Sequence, residues 1–203
     1  MRPVEDTGGT GPSIWQDGGM SEQQTGSVVA VSRDDKHRFS KPLVESIRLI
    51  AGHGIEGDTH AGPTTQHRYL IRTDPQRANL TQVHLVRSEL FDELAADGFA
   101  VSAGQLGENI ATSGVDLLAL PLGTRLHLGP DAVVEVTGMR DPCSMIDKFQ
   151  QGLKGALKST DASGHILRRA GIMGIVVSDG TVSPGDTLRV ELPTGEHLPL
   201  GVV

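Results

Sequence analysis

The chain has 203 residues, of which 37% are hydrophobic, 21% charged and 3% aromatic, and its formal charge is −7. That length predicts one domain, or one domain with a tail. The acidic balance excludes a general nucleic-acid grip, though not a local basic pocket for a small anion, and no apolar run approaches the ~20 residues that span a bilayer.

Residues 1–26 are rich in Gly, Ser, Gln, Thr and Asp with no apolar period. They read as a flexible tail without the apolar core of a secretory signal, which leaves 27–203 for the folded domain. The expectation is a cytoplasmic protein with a small-molecule ligand and with neither membrane nor nucleic-acid partners. The 26 glycines are nearly twice the usual ~7%, and aromatics are scarce. Short strands, tight turns and an aliphatic core follow. SVVAV from Ser27 predicts the first strand and Ser46–Gly52 the second. The stretch GHGIEGDTHAGPTTQHR, 52–68, has no helical period and reads as a long loop, a feature that is uncommon and often functional. Thr81–Val86 predicts a strand. Ser88–Gly98 predicts a helix with Leu90, Phe91, Leu94 and Ala95 on its apolar face, Ser88 as N-cap and Gly98 at C′. GENIAT and GVDLLAL predict short strands, and Thr124–Gly138 predicts a hairpin. In MRDPCSMIDKFQQGL, residues Met145, Ile146, Phe149 and Leu153 share a helical face, and GIMGIVV and TLRVEL predict the last strands. Many short strands with few helices indicate a mainly β barrel or sandwich with helical insertions.

The lone cysteine, Cys143, excludes an internal disulfide and a CxxC metal knuckle. Asp141 as N-cap and Pro142 at N1 would put Cys143 at N2 of a helix. There the helix start and Arg140 favour the thiolate, while Asp141 opposes it. The alternative is a buried, inert thiol. In the loop Gly54–Gly62, Asp58 and His60 are two apart, so on an extended segment they share a face and the acid can orient the imidazole. The same residues would serve as a hydrogen-bonded turn. His53, His60, His67 and His84 offer a possible metal set, without the spacing of a helical His pair. Glu108 and Asn109, within Gly104–Ile110, carry the donors and acceptors to read a heterocycle edge or to hold a β-turn.

Taken in order, GIEGDTHAG, QVHL, GQLGENIATSGVDLLALPLGTRLHLG and VVEVTGMRDPC resemble the motif series of MOSC domains, the C-terminal domains of molybdenum-cofactor sulfurases, over roughly Ser27 to Leu192. The resemblance implies a closed or partly open β-barrel, pyruvate-kinase β-barrel-like, with a few short helices. It implies a pocket that handles the molybdenum cofactor (molybdopterin) or sulfur. Cys143 would ligate molybdenum or accept sulfur as a persulfide. Asp58, His60 and Gly62 would lie near that pocket with Glu108, Asn109 and Arg140, and Arg140 or Arg68 would meet the pterin phosphate. The expected activity is a molybdenum-cofactor-linked oxidoreductase, such as a reductase of N-hydroxylated compounds, or a sulfurtransferase. A metal-free sulfur carrier and a His-site metalloenzyme are the alternatives. The extra N-terminal barrel of some MOSC enzymes and the cysteine-desulfurase domain are not seen in the sequence. The resemblance therefore implies a sulfur donor or electron-transfer protein as partner. Pyridoxal phosphate, a label attached to the family, finds no lysine context to support it.

The predicted convergence is specific: Gly54–Gly62 and Gly104–Asn109 should meet near Cys143, because a small-molecule site needs distant segments in one place.

Overall fold

The computed structural model describes residues 24–66, 68–160, 164 and 166–203, with only the backbone of Arg68, Tyr69 and Leu70. The expectations for residues 1–23, for His67 and for the Arg68 side chain lie outside the described residues.

The strands in chain order are β1 (Thr25–Ser32), β2 (Leu43–Val44), β3 (Ile47–Ile50), β4 (Gly54–Ile55), β5 (Val83–Arg87), β6 (Ile110–Ser113) and β7 (Arg125–Leu128). They continue as β8 (Ala132–Met139), β9 (Lys158–Thr160), β10 (Ile166–Arg168), β11 (Ile172–Ser178), β12 (Gly180–Val182) and β13 (Thr187–Glu191). The α-helices are α1 (Arg68–Thr73), α2 (Glu89–Ala96), α3 (Met145–Phe149) and α4 (Leu153–Leu157). Seven strands close into a barrel in the order β1-β13-β7-β8-β11-β5-β6 and back to β1. Only β5–β6 is parallel. Closure comes from Thr25, Gly26 and Ser27 of β1 pairing with Arg189, Leu188 and Thr187 of β13. β1 thus begins two residues inside the glycine-rich stretch 1–26.

Closing the sheet removes unpaired edges and gives each strand an inner and an outer face. β8 shows it: Ala132, Val134 and Val136 point inward and alternate with half-buried residues. The interior is Val, Ile and Leu with Ala132, and no aromatic side chain is in the cluster, as the composition requires. β5 is buried on both faces. Val83 and Leu85 face the interior, while Val86 packs outward under α2, α3 and α4, against Leu90, Leu94, Ile146 and Leu153. This helical layer covers one side of the barrel and creates a second small core. Among the described residues, no helix is long and apolar enough to cross a membrane.

Four local expectations are corrected. GVDLLAL forms a 3₁₀ turn, Leu117–Ala119, because the Asp116 carboxylate accepts the Leu118 N–H (3.2 Å) and caps it. Ser88 stands at the start of α2, but its φ of −66° and ψ of −26° are already helical and its hydroxyl makes no capping bond. The apolar face of α2 is narrower than expected: Leu90 and Leu94 are buried, whereas Phe91 is half-buried and Ala95 exposed. Met145 and Phe149 stay largely exposed, since the helix breaks after Phe149 and only Ile146 and Leu153 reach the second core. Gly98 does take the left-handed conformation at φ +87°, and Phe99 N–H closes back on Leu94 O at 2.8 Å.

Gly171 leads into β11 with φ +90°, and a Cβ there would overlap Leu85 O and crowd the His84 ring. Gly171→Ala is therefore expected to destabilise by more than about 1 kcal/mol. A urea midpoint equal to that of the wild type would contradict this.

Candidate functional site

β8 leaves the barrel at Met139, and the chain continues as Arg140-Asp141-Pro142-Cys143. Arg140 N–H is anchored to Gly171 O (3.1 Å). Asp141 does not cap a helix. Its Oδ1 accepts Lys158 Nζ (2.8 Å) and Arg168 Nε (2.9 Å). Those two cations face each other across the β9–β10 hairpin. With Asp141 spent on the hairpin, α3 begins only at Met145, with Ser144 at its N-cap. The N2 placement of Cys143 is thus corrected: the thiol precedes the helix and is exposed. Its fixed neighbour is Arg140. That guanidinium donates to Leu106 O (2.6 Å). Burial lowers its pKa, opposed by the pull of Cys143 and Glu108.

Glu108 is buried and its carboxylate accepts the N–H groups of Gly104 (2.5 Å) and Leu106 (3.1 Å). Burial pushes this carboxyl up, against those donors. The turn that holds it lies backbone-to-backbone on residues 39–41. Gly104 and Gly107 have φ of +83° and +78°, and Cβ atoms there would run into Lys41 O and Phe39 O. Lys41 N–H in turn donates to Gly104 O (2.8 Å).

That docking delivers Lys41 to Asp58. Lys41 Nζ meets Asp58 Oδ2 at 2.7 Å, with side chains only 3% and 1% exposed. Oδ2 also accepts Asn109 Nδ2 (3.0 Å) and Asp34 N–H (3.3 Å). Oδ1 accepts the His60 backbone N–H (2.9 Å) and His60 Nδ1 (3.1 Å). Burial alone would raise the Asp58 carboxyl, but the His60 hydrogen bonds and the Lys41 charge outweigh it and hold it well below the ordinary carboxylate range. Lys41 is pushed down by burial and held up by Asp58. Asn109 is fully used: Oδ1 accepts His84 N–H (3.2 Å) and Nδ2 also reaches Ser32 O (3.2 Å). His84 is buried, bonds Ala170 O through Nε2 (2.7 Å), and is driven well below its usual range by burial and by the Arg140 charge, so it is neutral at pH 7. Gly62 shapes the loop. Its N–H donates to His53 O (2.7 Å) and its carbonyl accepts Asn79 Nδ2 (3.0 Å).

The loop 54–62 and the turn 104–109 are thus joined through Asp58 and Asn109, and the turn reaches Cys143 through Arg140. Within this assembly the expected residues divide. Cys143 is exposed and His60 half-exposed, and Arg140 stands half-buried behind the thiol. Asp58, Glu108 and Asn109 are buried and carry hydrogen bonds from the chain that hold the site together. Lys41 and Asp34 also belong to this assembly. Nothing in SKPLV marks Lys41; only the need of a buried Asp58 for a cation does. Among the described residues, no three His, Cys, Asp or Glu could hold a metal ion.

The two depressed aspartates set an acid limit. Arg38 Nε and Nη2 bond Asp34 at 2.6 and 2.9 Å and bring its carboxyl down to about 2. A carboxylate with a lowered folded-state pKa stabilises above its unfolded value and loses that as pH falls through the folded one. Stability is expected to drop between about pH 4 and about 2. Glu108, shifted the other way, acts above that window, where stability rises as pH falls towards the ordinary glutamate value. Urea midpoints that stay constant from pH 5 to about 2.5 would contradict this assignment.

The MOSC domain family profile matches residues 58–189. A comparison with curated proteins found no match. Among solved structures, the YuaD protein from Bacillus subtilis is 26% identical at a TM-score of 0.69, covering 86% of this chain and 100% of that one. YiiM from Escherichia coli is 18% identical at 0.55, covering 85% and 73%. YiiM from Geobacillus stearothermophilus is 20% identical at 0.55, covering 87% and 78%. The two YiiM structures establish the fold alone. The ordered motifs, the closed barrel and a profile spanning most of the chain place this protein in the MOSC domain family.

Proposed function

We propose that this MOSC protein binds the molybdenum cofactor, with Cys143 as the protein ligand to molybdenum. The observation that carries the reading is an exposed thiol beside a half-buried guanidinium, at the rim of a rigid polar scaffold. The residues fit the group: thiolate sulfur is a soft donor, and Arg140, with one N–H spent on Leu106 O, keeps others for an anion. When bound, the cofactor would supply two-electron oxo transfer, the chemistry of a reductase. Cys143 would hold it, Arg140 would neutralise its anionic part, and Glu108 with the Gly104 turn would keep Arg140 in place.

Exposure of Cys143 favours a second reading, a sulfur carrier that takes a sulfane sulfur from a donor protein and holds it as a persulfide. One preparation separates the two. The full chain is made in a host that synthesises molybdenum cofactor, then analysed for metal, for pterin fluorescence and for intact mass. Equimolar molybdenum and pterin are expected. A one-sulfur adduct on Cys143 without molybdenum would select the carrier, and neither signal would overturn both.

A further inference from the structure

We infer that His60 is the proton-accepting group of this site: Asp58 fixes the imidazole with its proton on Nδ1 and leaves the Nε2 lone pair open to a ligand that gives up a proton, such as a thiol or a hydroxyl. The inference rests on the proposed function only for the identity of that ligand.

The argument is one of donors and acceptors. An ionised carboxylate only accepts. Asp58 is ionised because its partners outweigh its burial. Its Oδ1 takes both the backbone N–H and Nδ1 of the same residue, so the ring orientation and the tautomer are set together. Thr59 Oγ1 also lies 3.4 Å from Nδ1, but the charged oxygen is nearer at 3.1 Å and governs. Asp58 cannot swing away, since Lys41 and Asn109 hold its other oxygen from inside the protein. No described residue bonds His60 Nε2, and the side chain is 42% exposed. Its ring neighbour, His37, meets it edge-on at 6.0 Å and does not occupy that nitrogen. Two other described histidines, His84 and His127, lack this arrangement. His84 spends Nε2 on Ala170 O, and His127 spends it on Glu191.

The test uses the full chain carrying Cys143→Ser, which cannot load molybdenum through the thiol, so its outcome is independent of the proposed function. Long-range ¹H–¹⁵N correlations near pH 8 are expected to show His60 protonated on Nδ1. Diethylpyrocarbonate, which acylates an unprotonated ring nitrogen, is expected to modify His60 at Nε2. Asp58→Asn should reverse the tautomer. Lys41 Nζ, Asn109 Nδ2 and Asp34 N–H all donate to the inner oxygen, against the single His60 N–H on the other, so the new amide turns its oxygen inward and its NH₂ to the ring, and Nδ1 then becomes the acceptor. Acylation of His60 should fall at least tenfold. A wild-type ring protonated on Nε2, or an unreactive His60 beside a reactive His37, would overturn the inference. If Asp58→Asn does not fold, the tautomer and reactivity measured without that substitution decide alone.

Discussion

Asp58→Ala is expected to cost the fold about 3–5 kcal/mol, because it strands the ammonium of Lys41 in the interior. Both side chains of that pair are almost wholly shielded from water, so solvent screening offers little relief. The loss would also take one of the two acceptors of Asn109 Nδ2 and the carboxylate partner of the His60 ring. Replacing both partners, Asp58→Ala with Lys41→Met, should recover a large part of the loss, since an apolar pair needs no counterion. Urea denaturation of the four proteins in the cycle checks it. A single-variant loss below about 1 kcal/mol would mean that water reaches Lys41 and that the buried pair is not what holds the loop 54–62.

Cys143→Ser is expected to give the opposite pattern. The thiol is exposed, and serine is close to it in size, so stability should change by about 1 kcal/mol or less. Loading with molybdenum, or with sulfur, should fall to background. In the native wild type, iodoacetamide should label this cysteine to completion without denaturant. A folded Cys143→Ser protein that retains full cofactor and full activity would defeat both functional readings at once.

Much of the barrel is legible in the sequence because strands betray themselves locally. The hairpin β7–β8 and the strand β11 follow from alternation and from turns at Gly and Pro. The helix start at Cys143 is misread because a distant partner competes for a side chain. Asp141 has the residue type of a helix cap, but two cations on a hairpin claim it, and the helix start shifts past Cys143. Glu108 accepts two backbone N–H groups and Asn109 donates to Asp58, contacts that their residue types alone do not announce. Lys41 was invisible because a buried lysine is defined by its counterion, 17 residues away, and not by its neighbours in the chain. The Asp58–His60 pair was readable because its members are two residues apart and meet directly.

The closing pairs of the barrel join residues 25–27 to 187–189, close to opposite ends of the domain. During synthesis, β1 therefore emerges with one edge unmatched, and β13 arrives last. The barrel cannot seal until the final strand has left the ribosome, whereas the β7–β8 hairpin, spanning residues 125–139, can form while the chain is still growing. Long-range closure of this kind makes folding slow and leaves an open strand edge in the nascent protein. Yield in a heterologous host should thus respond to chaperones that hold the nascent chain more than to any change in the finished barrel's stability.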